Sequence, residues 1–158
     1  MKYLMTFSYD GTNFSGYQKQ PRKRTIQKEL EDALEKINGD NEVSICASGR
    51  TDAGVHAMNQ KAHFEMDKKI ECDKLQKAIN SLLPEDIHVK NIISVDDEFH
   101  ARYSAIGKEY IYKINMGEYN PIERNYCYQY NNRLDLVAIE RGLKYLEGEH
   151  NFKSFTKT

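Results

Sequence analysis

The sequence predicts an α+β fold in which one antiparallel sheet carries two helices on one face. Two observations lead to this class. Four segments of residues 1–95 place apolar side chains at alternating positions, which is typical of half-buried strands. Two further segments repeat apolar side chains at helical spacing, and each lies between strands, so the order is β-α-β-β-α-β.

The first strand and the first helix have clear boundaries. The strand has alternating aromatic and apolar residues, namely Tyr3, Met5, Phe7 and Tyr9. The helix has apolar residues at helical spacing, namely Ile26, Leu30, Ala33, Leu34 and Ile37. We expect Thr25 to cap this helix and Asn38-Gly39 to end it.

The remaining elements of this half are two strands, a helix and a strand. The strands alternate through Val43, Ile45 and Ala47, then Ala62, Phe64 and Met66, and finally Ile87, Val89, Ile93 and Val95. Residues 73–76 have the form of a capping box, so we expect the second helix to begin there and to end at Pro84. An irregularity is expected near Asn91 in the last strand. This order of elements is the ferredoxin-like, or RRM-like, βαββαβ arrangement.

The sequence after residue 104 predicts fewer secondary-structure elements. Strands are expected through Tyr110, Tyr112 and Ile114 and through Tyr126, Tyr128 and Tyr130, followed by a helix at 136–146 between an Asp135 cap and Gly148. Most of the 11 tyrosines are expected to pack in the sheet and core.

Composition excludes several classes of protein. The 158 residues carry a net charge of −1, with 39% hydrophobic residues, so a disordered chain and a globally basic nucleic-acid binder are excluded. The sequence contains neither a signal-peptide pattern nor an apolar run long enough to span a membrane. The 3 scattered cysteines fit neither a disulfide framework nor a zinc set, which favours a cytoplasmic protein.

The segment 48–60, between the second and third strands, is the strongest candidate for a functional loop. It is longer than an ordinary hairpin connection and is rich in small residues, and it contains Arg50, Asp52 and His56. An ionised Asp52 could act as a nucleophile or stabilise positive charge. The alternative is structural, with Asp52 capping the turn and pairing with Arg50 on the surface. We expect no metal, because His63, His88 and His100 are too scattered to form a ligand set with His56.

A basic cluster and two further cations are candidates for phosphate contacts. The cluster consists of Lys19, Arg22, Lys23 and Arg24, and the further cations are Arg102 and Lys108. The alternative is a solvated loop with surface ion pairs.

Seven motifs in chain order resemble those of the TruA family of tRNA pseudouridine synthases. The segment 49–57, GRTDAGVHA, is similar to the active-site signature of the family. The segment 9–20, YDGTNFSGYQKQ, is similar to its first-strand motif, with Tyr17 where the family usually has Trp. The other five matches lie at residues 25–27, 83–87, 99–105, 108–112 and 148–155.

This resemblance implies isomerisation of uridine to pseudouridine at positions 38 to 40 in the anticodon arm of tRNA. It implies Asp52 as the nucleophile, Tyr110 as the residue that stacks on the base and relays a proton, and Arg50 as the residue that holds the place of the flipped nucleotide. We assign RNA binding to His56 and to the candidate cations. No cofactor is expected, because the isomerisation is redox-neutral.

The resemblance also has implications for domain organisation. Family members are markedly longer and act as homodimers. We therefore expect residues 1–104 to form the subdomain with the catalytic loop, and residues 105–158 to begin a second, truncated subdomain. Alone, the chain is expected to bind tRNA weakly and to have little activity. The alternatives are a non-catalytic RNA-binding module, for which the expected RNP pattern is missing, and a metabolite-binding regulatory domain.

Overall fold

The computed structural model describes residues 1–156, and the chain divides into two compact units, Met1–Glu109 and Tyr110–Thr158. The elements of the first unit are β1 (Lys2–Tyr9), α1 (Ile26–Ile37), β2 (Ile45–Ala47), β3 (Ala57–Glu65), α2 (Cys72–Leu82) and β4 (Ile87–Ser94). Its strands form one antiparallel sheet in the order β2-β3-β1-β4, with both helices on one face. The predicted fold class and order of elements are confirmed.

The core of the first unit lies between the sheet and the two helices. Alternate residues of β1, among them Tyr3 and Phe7, are fully buried. The helices contribute residues four apart, Leu30 and Leu34 from α1 and Leu75 and Ile79 from α2, all buried within the same cluster. Burial of each such side chain contributes about 1.5–3 kcal/mol, so this packing fixes the strand β1 beside which the candidate loop lies.

The irregularity predicted in β4 is present and changes which residue enters the core. Thr6 pairs with Asn91 and Phe7 with Val89, so one residue of β4 is unpaired. Because an extra residue reverses the alternation, Ile92 is 3% exposed and Ile93 is 46% exposed. The prediction that Ile93 belongs to the alternating core face was therefore wrong.

The two helix starts differ from the predicted caps. Thr25 is the N-cap residue of α1, but its side chain makes no capping hydrogen bond and its hydroxyl is buried. Helix α2 begins at Cys72, so the box at 73–76 lies inside the helix and the cap position is Glu71. Just before α2, the Tyr3 hydroxyl donates to Ile70 O and accepts from Ile70 N, which holds the chain where it enters the helix.

The second unit contains short elements. These are a parallel pair, β5 (Ile114–Asn115) and β6 (Tyr128–Gln129), the helix α3 (Leu136–Leu143), and 3₁₀ turns at Lys144–Leu146 and Phe152–Phe155. Asp135 caps α3 as predicted, since its carboxylate accepts from Ala138 N at 2.9 Å. Residues 157 and 158, the end of the predicted second subdomain, lie outside the described residues.

The expectation that most tyrosines are buried was wrong. Eight of them are exposed, namely Tyr103, Tyr110, Tyr112, Tyr119, Tyr126, Tyr128, Tyr130 and Tyr145. Seven of these belong to the second unit, whose described residues include none that is buried. Tyr110 and Tyr112 also lie outside any strand, because β5 begins only at Ile114. Within residues 1–156, no helix has both the length and the apolar character needed to cross a bilayer.

Two buried tyrosines of the first unit provide a matched test of hydroxyl satisfaction. The Tyr17 hydroxyl has no hydrogen-bond partner among the described residues, and burial raises its pKa. The Tyr3 hydroxyl donates to Ile70 O at 2.9 Å and accepts from Ile70 N at 3.0 Å. We expect Tyr17→Phe to raise the free energy of unfolding by about 1 kcal/mol and Tyr3→Phe to lower it by about 1–3 kcal/mol. Urea denaturation measures both, and a destabilised Tyr17→Phe protein would contradict the assignment of an unsatisfied hydroxyl.

Candidate active site

The candidate loop spans Ser48–His56 and lies between β2 and β3. It is shorter than the predicted segment 48–60, because the first residues of β3 pair with β1, beginning with Ala57 opposite Tyr9. Ser48 N donates to Lys61 O at 2.8 Å, which closes the base of the loop. Asp52 lies in the middle of this connection.

The residue before Asp52 is fixed by two hydrogen bonds. Tyr17 N donates to Thr51 O at 2.9 Å, and the Tyr9 hydroxyl lies 2.8 Å from Thr51 Oγ1. Gly16 packs closely against the same residue, since a Cβ at Gly16 would lie 3.1 Å from Thr51 O. Its φ of +95° also favours glycine. The segment after β1, residues 10–17, therefore holds one side of the loop.

The residues after Asp52 are held by the same segment. A Cβ at Gly11 would lie 2.0 Å from Val55 O, so the two backbones are in direct contact there. His56 Nδ1 lies 3.2 Å from Gly11 N and 3.0 Å from Asp10 Oδ1. Because both sides of the loop are docked, the position of Asp52 is determined by the fold.

Asp52 and Arg50 are both exposed, and they do not pair with each other among the described residues. Val55 N donates to Asp52 O at 3.3 Å, so the backbone of Asp52, rather than its carboxylate, closes the local turn. The alternative in which Asp52 and Arg50 form a surface ion pair is therefore wrong. Both charged groups are available to a ligand.

Lys108 brings a second cation to the loop. A Cβ built on Gly49 would lie 3.0 Å from Lys108 Nζ, so this ammonium lies directly over the start of the loop. Gln60 Nε2 donates to Gly49 O at 3.0 Å and holds that part of the backbone. The structure thus places Lys108 against the start of the loop that carries three other predicted site residues, Arg50, Asp52 and His56.

The four bases of the basic cluster differ in whether they form ion pairs. Lys19 Nζ pairs with Glu31 at 3.0 Å, and Arg24 pairs with Asp86 at 2.7 Å and lies over the ring of Phe14. The carboxylate of Glu31 raises the pKa of Lys19, and the carboxylate of Asp86 raises the pKa of Arg24. These two bases therefore hold the loop 18–25 onto the body of the domain. Of the predicted cluster, the exposed bases without an ion pair among the described residues are Arg22 and Lys23.

The two other predicted site residues are Arg102 and Tyr110. Arg102 is exposed on a turn at residues 101–104. Tyr110 is the first residue of the second unit and is 79% exposed.

One cluster escaped the sequence analysis. Cys46, His63 and His100 place three potential ligand atoms within 4.8 Å of one another, so the expectation that His63 and His100 are scattered was wrong. The missed signal is strand register, because Cys46 and His63 are cross-strand partners in β2 and β3. Both histidines accept a backbone N–H at Nδ1, so in the neutral rings Nε2 carries the proton. This arrangement is poorly suited to binding a metal ion through Nε2.

Comparison with known proteins identifies the family. A family model described as tRNA pseudouridine synthase matches residues 5–104, which include the second part of β1, the candidate loop and β4. The chain belongs to the tRNA pseudouridine synthase family. The match covers both the segment after β1 and the loop that it holds.

Individual relatives agree with this family. The chain is 48% identical over 151 residues to tRNA pseudouridine synthase A of Geobacillus sp. (strain WCH70), covering 95% of the chain and 61% of the relative. It is 46% identical to the protein of the same name from Limosilactobacillus reuteri (strain DSM 20016), covering 98% and 61%. With that of Caldicellulosiruptor bescii it shares 48% identity, covering 96% and 62%. The chain therefore spans about three fifths of the length of these relatives.

Proposed function

We propose that the full-length protein containing this chain isomerises uridine to pseudouridine in tRNA, at positions 38 to 40 of the anticodon arm. The observation that carries the proposal is the geometry of Asp52. Its carboxylate is exposed, while Thr51 on one side and Val55 on the other are docked on the segment after β1. Such a preorganised carboxylate suits attack on a bound nucleotide.

The reaction needs a nucleophile and a proton acceptor. The bond from C1′ to N1 breaks, the uracil rotates, and C5 bonds to C1′ while C5 loses a proton and N1 gains one. A carboxylate can supply an electron pair to C1′ or to the ring, or stabilise positive charge on the sugar. We assign this role to Asp52. Because no electrons are gained or lost overall, the reaction requires no redox cofactor.

The cations around the loop support binding of a nucleic acid. Arg50 and Lys108 lie at the start of the loop, and Arg22 and Lys23 extend the positive charge to the loop before α1. We propose that Arg50 holds the place of the extruded nucleotide, which an enzyme acting on a base within a helix requires. The RNA backbone is contacted by the other cations named here, Lys108, Arg22 and Lys23, and by His56 and Arg102. Tyr110 stacks on the base and relays the C5 proton.

Lys23 and Lys19 allow a matched test of phosphate binding. Lys23 is exposed without an ion pair among the described residues, whereas Lys19 is paired with Glu31. We expect Lys23→Ala to weaken tRNA binding and to reduce the slope of log K against log salt by about 1, because one fewer counterion is released. Lys19→Ala should leave that slope unchanged. Filter binding at several salt concentrations measures both, and equal slopes for the two variants would contradict the assignment.

The activity itself is tested with tRNA tritiated at C5 of uridine. The full-length protein should release tritium to water, because C5 exchanges its hydrogen for the bond to C1′. The chain of 158 residues alone should release little, since it spans only about three fifths of its relatives. A full-length protein that binds tRNA with steep salt dependence but releases no tritium would instead support the alternative, a non-catalytic RNA-binding module.

Three finer proposals follow from the resemblance to the family. We propose that residues 105–158 begin a second subdomain similar to the first, with 1–104 as the subdomain of the catalytic loop. We also propose that the full-length protein acts in the cytoplasm and as a homodimer. Size-exclusion chromatography with light scattering tests the homodimer, and a full-length protein of monomeric mass would contradict it.

A further inference from the structure

The turn at residues 99–104 is held to the sheet through the side chain of His63 on β3, and His100 closes the turn itself. Ala101 N donates to His63 Nδ1 at 3.1 Å, and Arg102 N donates to His100 Nδ1 at 3.2 Å. The two imidazole rings lie 4.7 Å apart, and Ala101 beneath them is only 3% exposed. The same two rings thus meet each other and each accept one backbone amide of the turn.

These hydrogen bonds require neutral imidazoles. A nitrogen that accepts an N–H carries no proton, so each neutral ring has its hydrogen on Nε2. For His100 this places the Nε2 hydrogen toward Cys46 Sγ, which lies 3.6 Å away. Protonation of His63 would set an imidazole N–H against the Ala101 N–H and remove the acceptor that joins the turn to β3.

The charged and titratable groups around His63 mostly oppose its protonation. Partial burial is the largest cause that lowers the pKa of His63, followed by His100 and Lys2, while Glu65 opposes them. Lys2 pairs with Glu65 at 3.2 Å and donates to the carbonyls of Asp97 and Phe99. Lys2 of β1 therefore also holds the start of the turn. The other charged or titratable groups near the two histidines are Cys46 on β2 and Tyr103 and Arg102 on the turn.

We propose that His63 is a positioning residue that, as a neutral imidazole, latches the turn 99–104 onto the sheet, and that its protonation releases the turn. The latch joins β3 to a segment far away in the sequence through the Ala101 amide, whereas the Arg102 bond to His100 lies within the turn. The latch therefore has two states, with an acceptor for the Ala101 amide or without one.

The consequence for RNA binding rests on the proposed function. Arg102 lies on this turn, and Lys108 follows it by six residues. A latched turn presents Arg102 in one place, whereas a released turn does not, so tRNA affinity should fall as His63 becomes protonated. This loss adds to any general effect of pH on the RNA itself.

The test is an NMR titration of the ¹⁵N-labelled full chain from about pH 8 to about pH 5, across the range where histidines titrate. We expect the Ala101 amide to shift, and its hydrogen-exchange protection, corrected for intrinsic rates, to fall by up to about tenfold per pH unit as His63 becomes protonated. The Ser48 amide, which donates to the Lys61 carbonyl at 2.8 Å, serves as the internal control, and its protection should not change over this range.

A pair of asparagine variants tests the role of the acceptor. Asparagine places its Oδ1 close to the position of Nδ1 and cannot be protonated, so His63→Asn should keep the Ala101 bond and make it independent of pH. His100→Asn is the matched control, because the Nδ1 bond of His100 to Arg102 N lies within the turn, and the Ala101 amide of this variant should keep its pH dependence. An Ala101 amide that keeps full protection at about pH 5 in the unmodified chain, or a His63→Asn protein as pH-sensitive as that chain, would overturn the proposal.

Stability and tRNA binding provide separate readouts. Because the pKa of His63 is lowered on folding, the unfolded chain binds the proton more readily, and stability is full above the unfolded value of 6.5 and declines as pH falls below it. His63→Asn should flatten this decline in urea denaturation. If the NMR and urea results hold but tRNA binding shows no pH dependence in either protein, the latch stands and its link to the proposed function fails.

Discussion

Replacing Asp52 with asparagine in the full-length protein should lower kcat by about 10⁴-fold or more and leave the dissociation constant for tRNA within about threefold. The amide has nearly the same shape as the carboxylate but cannot donate an electron pair to C1′ or to the uracil ring. The fold should be unaffected, because the Asp52 carboxylate is exposed and the hydrogen bond that closes the turn uses its backbone carbonyl. Single-turnover tritium release measures the rate and filter binding measures the affinity.

Asp40→Asn is the matched control for this change. Asp40 is an exposed aspartate after α1 with a φ of 64°, a conformation that asparagine tolerates well. Its substitution should leave both rate and affinity unchanged. An Asp52→Asn protein with normal turnover would show that the nucleophile is another group.

Gly11→Ala should be the most damaging of the small substitutions outside the loop. A Cβ there would lie 2.0 Å from Val55 O and 2.6 Å from Val55 C, and no side-chain movement can relieve a clash with backbone. The loop after Asp52 must therefore move away from the segment after β1. We expect a loss of about 1–3 kcal/mol in stability, as for other overpacked sites, and about a 10²-fold loss in kcat/KM from the displaced carboxylate.

Gly107→Ala separates this contact from the general effect of adding a methyl group. A Cβ at Gly107 would meet nothing within 4 Å, and its φ lies outside the left-handed region. Thermal unfolding and tritium release should show no change for Gly107→Ala and a loss of both for Gly11→Ala. A Gly11→Ala enzyme with normal turnover would mean that the docking of the loop does not position Asp52.

The main architecture of the first unit could be predicted because its sequence signals agree with one another. Alternation in β1 and helical spacing in α1 both place apolar residues on a single core, and the structure confirms both. The exchange of Ile92 for Ile93 could not be predicted, because a single unpaired residue in β4 reverses the side on which all later residues lie. Strands at Tyr110 and Tyr112 were predicted from alternation alone, in a unit whose described residues form no buried core.

Only part of the candidate site could be predicted from the sequence. The loop was identified by its length and small residues, but its docking through Gly11 and Gly16 depends on backbone approaches that no pattern of residue types reveals. The division of the basic cluster also depends on distant partners, since Arg24 pairs with Asp86, 62 residues away. The latch of His63 onto Ala101 depends in the same way on strand register and on the path of the chain after β4.

The position of the product in tRNA tests the proposed function most directly. Unmodified tRNA transcripts with uridine at 38, 39 or 40 are incubated with the full-length protein, treated with carbodiimide and mapped by reverse transcription. Our account predicts pseudouridine at these positions, none in transcripts with cytidine there, and none with the Asp52→Asn protein. Pseudouridine only in another arm of the tRNA, or equal yields with Asp52→Asn, would contradict it.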